Sequence, residues 1–138
     1  MSRPTPSATE VGEHPVERSL GEQLVRAIAA KDAGRLRSLF STPVTFRGIT
    51  PRRFWDAETA VEVVDEIMLG RWFDPGTTVT EVTSVETGTV ADVHSVRFRM
   101  SLVLASGQAA VTEQTAYFGA ADGRITDMRL VCSGFRPV

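Results

Sequence analysis

Glu113, Tyr117 and His94 are the side chains of this sequence most able to move a proton inside an apolar site. Each falls within an alternating apolar segment, and if its face is the buried one, it is removed from water. A carboxylate on an apolar strand face has its charged form disfavoured, so Glu113 would exchange protons near neutral pH as a general acid or base. Tyr117 would donate its phenolic hydrogen to a carbonyl or enolate, or else simply pack. His94 lies about three residue pairs from Glu113. At ~3.3 Å per residue it meets a ligand spanning a cavity rather than Glu113 itself, and the plainer reading is a core or rim histidine with a local partner. Phe46, Trp55, Trp72, Phe98, Met100, Met128 and Cys132 are the expected apolar lining of such a site, and Arg47 a clamp for a polar substrate group. Cys132 has no neighbouring base evident in the sequence and reads as a small hydrophobe.

These placements depend on the pairing of strands. His94, Val96, Phe98, Met100, Leu102 and Leu104 alternate with Val93, Ser95, Arg97, Arg99 and Ser101, so the first set faces the core. A two-residue turn at Ser106-Gly107 would pair Ala105 with Gln108, Met100 with Glu113 and Val96 with Tyr117, bringing Glu113 and Tyr117 onto the apolar face. On the last strand Met128, Leu130 and Cys132 form the more apolar set. A bulge at Asp122-Gly123 would instead turn Asp127 and Arg129 inward.

Around this meander the pattern is helical first and alternating later. Residues from Met1 to about Pro15 are rich in Pro, Ser, Thr and Glu and read as a flexible tail, with one domain from Val16 to Val138. Leu20, Leu24, Ala27 and Ile28 make a helical stripe ending near Lys31, and Asp32 caps a short second helix. Val44 to Ile49 reads as a strand leaving through a polar loop, Thr50 to Arg53. A third helix carries Val61, Val64, Ile67 and Met68, with Asp56 as its expected cap and Gly70 as its stop. Four strands follow, about Thr78 to Glu86, Val90 to Ala105, Ala109 to Gly119 and Arg124 to Phe135.

Composition bounds the function. The chain has 138 residues, 42% hydrophobic and 23% charged, enough for one core but cramped for two. A net charge of −2 gives no pull on nucleic acid or anionic membrane. The longest uncharged run, Met100 to Thr112, is short of the roughly 20 residues of a spanning helix. One cysteine and two histidines, His14 and His94, supply no metal-ligand spacing, and no cofactor motif stands out. A reducing cytoplasm is the expected compartment.

The order helix, helix, strand, helix, then a four-stranded meander resembles the nuclear-transport-factor-2-like superfamily, in particular its bacterial SnoaL-like branch. Ala30-Lys31-Asp32 between the first helices, the strand Val44-Thr45-Phe46-Arg47-Gly48, and the turn Asp122-Gly123-Arg124-Ile125 leading to Arg129 carry the resemblance, which spans Glu17 to the end. It implies an α+β fold: a cone-shaped α+β barrel with three N-terminal helices against a curved antiparallel sheet, an apolar cavity, and often a homodimer. Members include polyketide cyclases, ketosteroid isomerases, dehydratases, epoxide hydrolases and non-catalytic binders, so the fold does not by itself transfer an activity. The first carboxylate of the isomerase-type pair aligns with Gly48 and the second falls near Thr115, so that pair is missing. The resulting expectation is cofactor-independent acid/base chemistry on a hydrophobic, carbonyl-containing small molecule, with Glu113, Tyr117 and His94 as its groups. The alternative is a ligand-binding or dimerisation module of the same fold.

Overall fold

Hydrogen-bonding side chains punctuate the helical half in a computed structural model, which describes residues 19–138. The expected tail, Met1 to Pro15, lies outside those residues. Helix α1 (Leu20–Ala30) starts where the Ser19 side chain accepts from the Glu22 N–H, at 3.2 Å. It ends at Lys31, whose backbone is left-handed. Leu24, Val25, Ala27 and Ile28 form its buried face. Gly21 lets that face reach the sheet, because a Cβ there would lie 2.8 Å from Cβ of Val96. Lys31 Nζ then donates to the carbonyls of Asp74 and Thr77, tying the end of α1 to the loop before the strand that begins at Thr78. Asp32 caps the short α2 (Ala33–Ser38), as its position predicts.

Helix α3 (Glu62–Trp72) departs from expectation at both ends. Its cap is Thr59, which accepts from Glu62 N–H while Glu62 Oε1 accepts from the N–H groups of Glu58 and Thr59. This is a reciprocal capping box, Thr-x-x-Glu. Asp56, the expected cap, sits instead in a strand and pairs with Arg47. Gly70 does not stop the helix either. The segment winds as a π-helix, and a Cβ at Gly70 would run into the carbonyl oxygen of Asp65. Wide winding carries the helix on to Trp72, which is buried with Val63, Val64, Ile67 and Met68.

Seven strands form one open sheet: β1 (Phe40–Thr50), β2 (Arg53–Ala57), β3 (Thr78–Val90), β4 (Val93–Val103), β5 (Ala109–Ala121), β6 (Arg124–Cys132) and β7 (Arg136–Pro137). Their order is β2-β1-β6-β5-β4-β3, with β7 added to β5. Among the described residues the sheet therefore has free edges at β2 and β3 and is not a closed barrel. Neighbours are antiparallel except β1 and β6, which run parallel. The third expected helix is the π-wound α3, and α2 is a six-residue helix, so the helical layer is slighter than three full helices. No described helix is long and apolar enough to cross a membrane.

The β4–β5 hairpin decides the site. Leu104 N–H donates to Gln108 O and Gly107 N–H to Leu104 O, enclosing a three-residue loop, with Gly107 left-handed at φ 88°. Met100 thus pairs with Thr112, Phe98 with Gln114 and Val96 with Ala116. The two-residue turn expected at Ser106-Gly107 is one residue too short, and that single residue turns every β5 side chain to the opposite face.

Candidate functional site

The inner face of the sheet, under the helices, is built by alternation. Val96, Phe98, Met100 and Leu102 come from β4, Met128, Leu130 and Cys132 from β6, and Phe46 from β1; all are buried. Set among them on β5 are two neutral polar side chains, Thr112 and Gln114, each 1% exposed. Gln114 is opposite Cys132 in the register. Its Nε2 donates to Cys132 Sγ at 3.2 Å, the Gly134 N–H donates to the same sulfur at 3.3 Å, and Thr112 Oγ1 lies 3.5 Å from it. Gln114 Oε1, though buried, has no partner among the described residues. Buried polar atoms are nearly always paired, and an unpaired acceptor costs about 1–3 kcal/mol.

A second buried polar atom without a partner among the described residues is Nε1 of Trp72. Trp72 is 5% exposed and lies over Gly48, where a Cβ would come within 2.6 Å of its ring, so only glycine admits the indole there. Gly48 pairs with Leu130, and Leu130 with Ala116, two residues along β5 from Gln114. Strand spacing and rise place the backbones of Gly48 and Gln114 roughly 12 Å apart. Around Trp72 the aromatics form a chain. Phe46 is 6.2 Å away between ring centres, and Trp55 meets it edge-on at 6.1 Å. Trp55 is half-buried, with Nε1 bonded to Thr50 Oγ1 at 2.8 Å and its ring flanked by the guanidinium groups of Arg53 and Arg71. A groove of about 220 Å³ lies outside it, between β2 and α3.

Two of the three expected acid/base residues lie on the other side of the sheet. Glu113 faces outward, its side chain 32% exposed, with Arg97 Nε at 2.6 Å and Arg99 at 3.8 Å. The hydrogen bond from Arg97, then the charges of Arg97 and Arg99, hold its carboxyl below the ordinary glutamate range against a small opposing effect of desolvation. A proton-exchanging base in an apolar pocket needs the reverse. Tyr117 is likewise outside, 52% exposed. Both misplacements follow from the one-residue difference in the Ala105 to Gly107 loop. Arg47 is outside as well, bonded to Asp56 at 2.7 Å and lying over the Phe54 ring.

His94 is on the inner face as expected, but at the far end from Gln114. It stacks on Phe118 with ring centres 5.4 Å apart, beside a groove of about 430 Å³ bounded by the first turn of α1 and the end of β3. Among the expected lining residues, Phe46, Trp72, Phe98, Met100, Met128 and Cys132 share the inner face and Trp55 stands at its rim.

Gln114 and Thr112 escaped the sequence reading. In the slipped register they belonged to the outer set, and a neutral amide carries no signature of its own. The available signal was the loop: Ala105-Ser106-Gly107 with glycine third is the composition of a three-residue hairpin as well as of a two-residue one.

No protein-family model matches the sequence, and no curated protein does. Solved structures do match its fold. A Rhodopseudomonas palustris protein assigned as an isomerase superposes with a TM-score of 0.67 at 14% identity, covering 86% of this chain and 92% of that one. An epoxide hydrolase of M. tuberculosis, described as LEH-like, gives 0.62 at 15% identity over 83% and 80%. IdmH of Streptomyces antibioticus, assigned as a polyketide cyclase, gives 0.61 at 15% identity over 82% and 88%. The resemblance to the nuclear-transport-factor-2-like and SnoaL-like fold therefore holds across most of the chain.

Proposed function

We propose that this chain binds a small, mostly apolar, oxygen-bearing molecule on the inner face of the sheet, between α3 and strands β1, β6 and β5. One observation carries the reading: Trp72 Nε1 and Gln114 Oε1 are both buried and both unpartnered among the described residues. Together they offer one donor and one acceptor in a setting otherwise made of Phe46, Phe98, Met100 and Met128. A ligand with an acceptor for the indole and a donor for the amide would remove both penalties on binding, and apolar contact would supply the rest. The groove outside Trp55, whose ring packs edge-on against Trp72, is the entrance in this reading, opened by a swing of the Trp55 ring.

This favours the binding module over acid/base catalysis by Glu113, because Glu113 is ion-paired on the outer face. The similar structures named above as isomerase, cyclase and epoxide hydrolase support a small organic ligand as the class. Titration of the protein with two-ring alcohols and ketones, followed by tryptophan fluorescence, tests the reading. Binding should quench emission, and Trp72→Phe, which keeps the ring but removes the N–H, should weaken it about five- to tenfold. No saturable quenching with any such probe, or equal affinity in Trp72→Phe, would refute it.

A further inference from the structure

Strand β6 carries two opposite charges, Asp127 and Arg129, two positions apart on the outer face of the sheet, and they do not pair with each other. In the register Asp127 lies between Thr45 and Gly119, and Arg129 between Arg47 and Tyr117. Gly119 accounts for the separation. A Cβ there would come within 2.5 Å of Asp127 Oδ1, so the carboxyl group occupies the space that the glycine leaves over β5 and is drawn aside from Arg129. Thr126 Oγ1 donates to the same oxygen at 3.2 Å. On its other side Arg129 meets a like charge, and Arg47 already spends Nε and Nη2 on Asp56 at 2.7 and 3.2 Å. Among the described residues the Arg129 guanidinium therefore has no carboxylate partner.

Both charges border a groove of about 480 Å³ over β1, β2 and β6, whose apolar wall is Ile49 and Phe54. Phe54 is 62% exposed, and the Arg47 guanidinium lies 5.2 Å from its ring centre. We propose that this outer groove binds a free α-amino acid with an apolar side chain, its carboxylate on Arg129, its ammonium on Asp127 and its side chain on Phe54 and Ile49. A guanidinium without a partner takes a carboxylate through charge-assisted hydrogen bonds. A ligand with a carboxylate alone would bring that charge toward Asp127 uncompensated, and an amine alone would do the same toward Arg129. A molecule with both groups on one carbon answers both charges. Strand rise sets the two Cα atoms roughly 7 Å apart, close enough for one small ligand to reach both side chains. The groove is on the side of the sheet away from Trp72 and Gln114, so this inference stands independently of the inner-face reading.

The test uses L-phenylalanine, hydrocinnamate and phenethylamine, which share one ring and differ only in which charges they carry. Each is titrated at low salt into the isotope-labelled full-length protein, followed by backbone amide NMR shifts. Shifts should saturate and centre on β1, β2 and β6 around the groove, with L-phenylalanine binding about tenfold tighter than either single-charge analogue. Asp127→Asn should weaken L-phenylalanine about tenfold and leave hydrocinnamate no weaker. Arg129→Gln should weaken L-phenylalanine and hydrocinnamate and leave phenethylamine no weaker. Both side chains are exposed, so these variants should fold normally. Gly119→Ala tests the positioning: its Cβ displaces the Asp127 carboxyl group, and it should weaken L-phenylalanine about tenfold in wild type but add nothing to Asp127→Asn. Should Gly119→Ala not fold, the two exposed variants decide the matter alone. Equal affinity for the three probes, or for L-phenylalanine in wild type and Arg129→Gln, overturns the proposal, and so does the absence of any saturable shift. A doubled mass in light scattering, with the groove amides broadened before any probe is added, shows a second copy seated there and overturns it equally.

Discussion

Gln114→Met should make this protein more stable, which is the opposite of what replacing a fully buried residue ordinarily does. Methionine has nearly the length and shape of glutamine, so the packing against Phe98 and Cys132, its partners in the register, is kept without a cavity. Removing the unpartnered Oε1 recovers about 1–3 kcal/mol of desolvation cost. The Nε2 donation to Cys132 Sγ is lost with it, a contact to a weak acceptor worth about 0.5–1 kcal/mol. The balance is a gain of up to about 2.5 kcal/mol, or a rise of up to roughly 10 °C in melting temperature for a domain of this size. Urea titration monitored by circular dichroism, with thermal melts alongside, measures it; the midpoint should move up with the slope unchanged. The same variant should bind two-ring alcohols more weakly, since the acceptor is gone. A loss of 1 kcal/mol or more would mean that Oε1 is satisfied in the unliganded protein. The observation supporting ligand recognition would then disappear.

Glu113→Gln should leave the affinity for two-ring probes unchanged, because the carboxylate is on the outer face beside Arg97 and Arg99; a large loss of binding would return it to the site. Its pH signature has a definite sign. Glu113 is held below its ordinary value of 4.5, chiefly by the Arg97 hydrogen bond, so its contribution to stability is present above that value and is lost as pH falls through the lowered one. Stability curves of wild type and Glu113→Gln should thus run parallel near neutrality and converge in acid; divergence toward acid would contradict the pairing. Gly70→Ala would gain about 1 kcal/mol in an ordinary α-helix, yet here its Cβ meets the Asp65 carbonyl, so it should lose about 1–3 kcal/mol in a thermal melt. A stabilised variant would show that α3 is not π-wound.

Conformation decided by local chemistry is legible in the sequence. Asp32 caps α2, Asp122-Gly123 is a tight turn with both residues left-handed, and the alternation from His94 to Leu102 points inward as read. The same logic assigned Met128, Leu130 and Cys132 to the buried face of β6. Failures came where two local patterns were equally allowed and tertiary packing chose. Asp56 and Thr59 are both acceptable caps, and Arg47 across the β1–β2 hairpin takes Asp56 for itself. Gly70 is a normal helix terminator, but the buried pair of Trp72 and Phe46 beyond it keeps the segment helical. Ser106-Gly107 suits either a two- or a three-residue loop, and no single-strand pattern on β5 could choose, because Val111, Glu113, Thr115 and Tyr117 look no less apolar than Ala110, Thr112, Gln114 and Ala116. The parallel pairing of β1 with β6 joins residues more than 80 positions apart in the chain and leaves no local trace.

The consequence of that one loop residue is chemical as well as geometric. Had Glu113 faced inward, its charge would have needed a buried cation, and the inner face offers none among its described residues at that level of β5. The cost of an isolated buried carboxylate would have reached several kcal/mol unless it took up a proton. The register found instead gives Glu113 two arginines at the surface and puts a neutral amide inside, where the unpaired oxygen costs only about 1–3 kcal/mol. A penalty of that size is tolerable in a free protein, and on the proposed binding reading it is returned when a polar group of the ligand pairs with the amide. It is large enough to select a ligand and small enough to leave the unliganded fold intact, which is why a polar interior of Gln114, Thr112 and Trp72 argues for recognition of a neutral molecule.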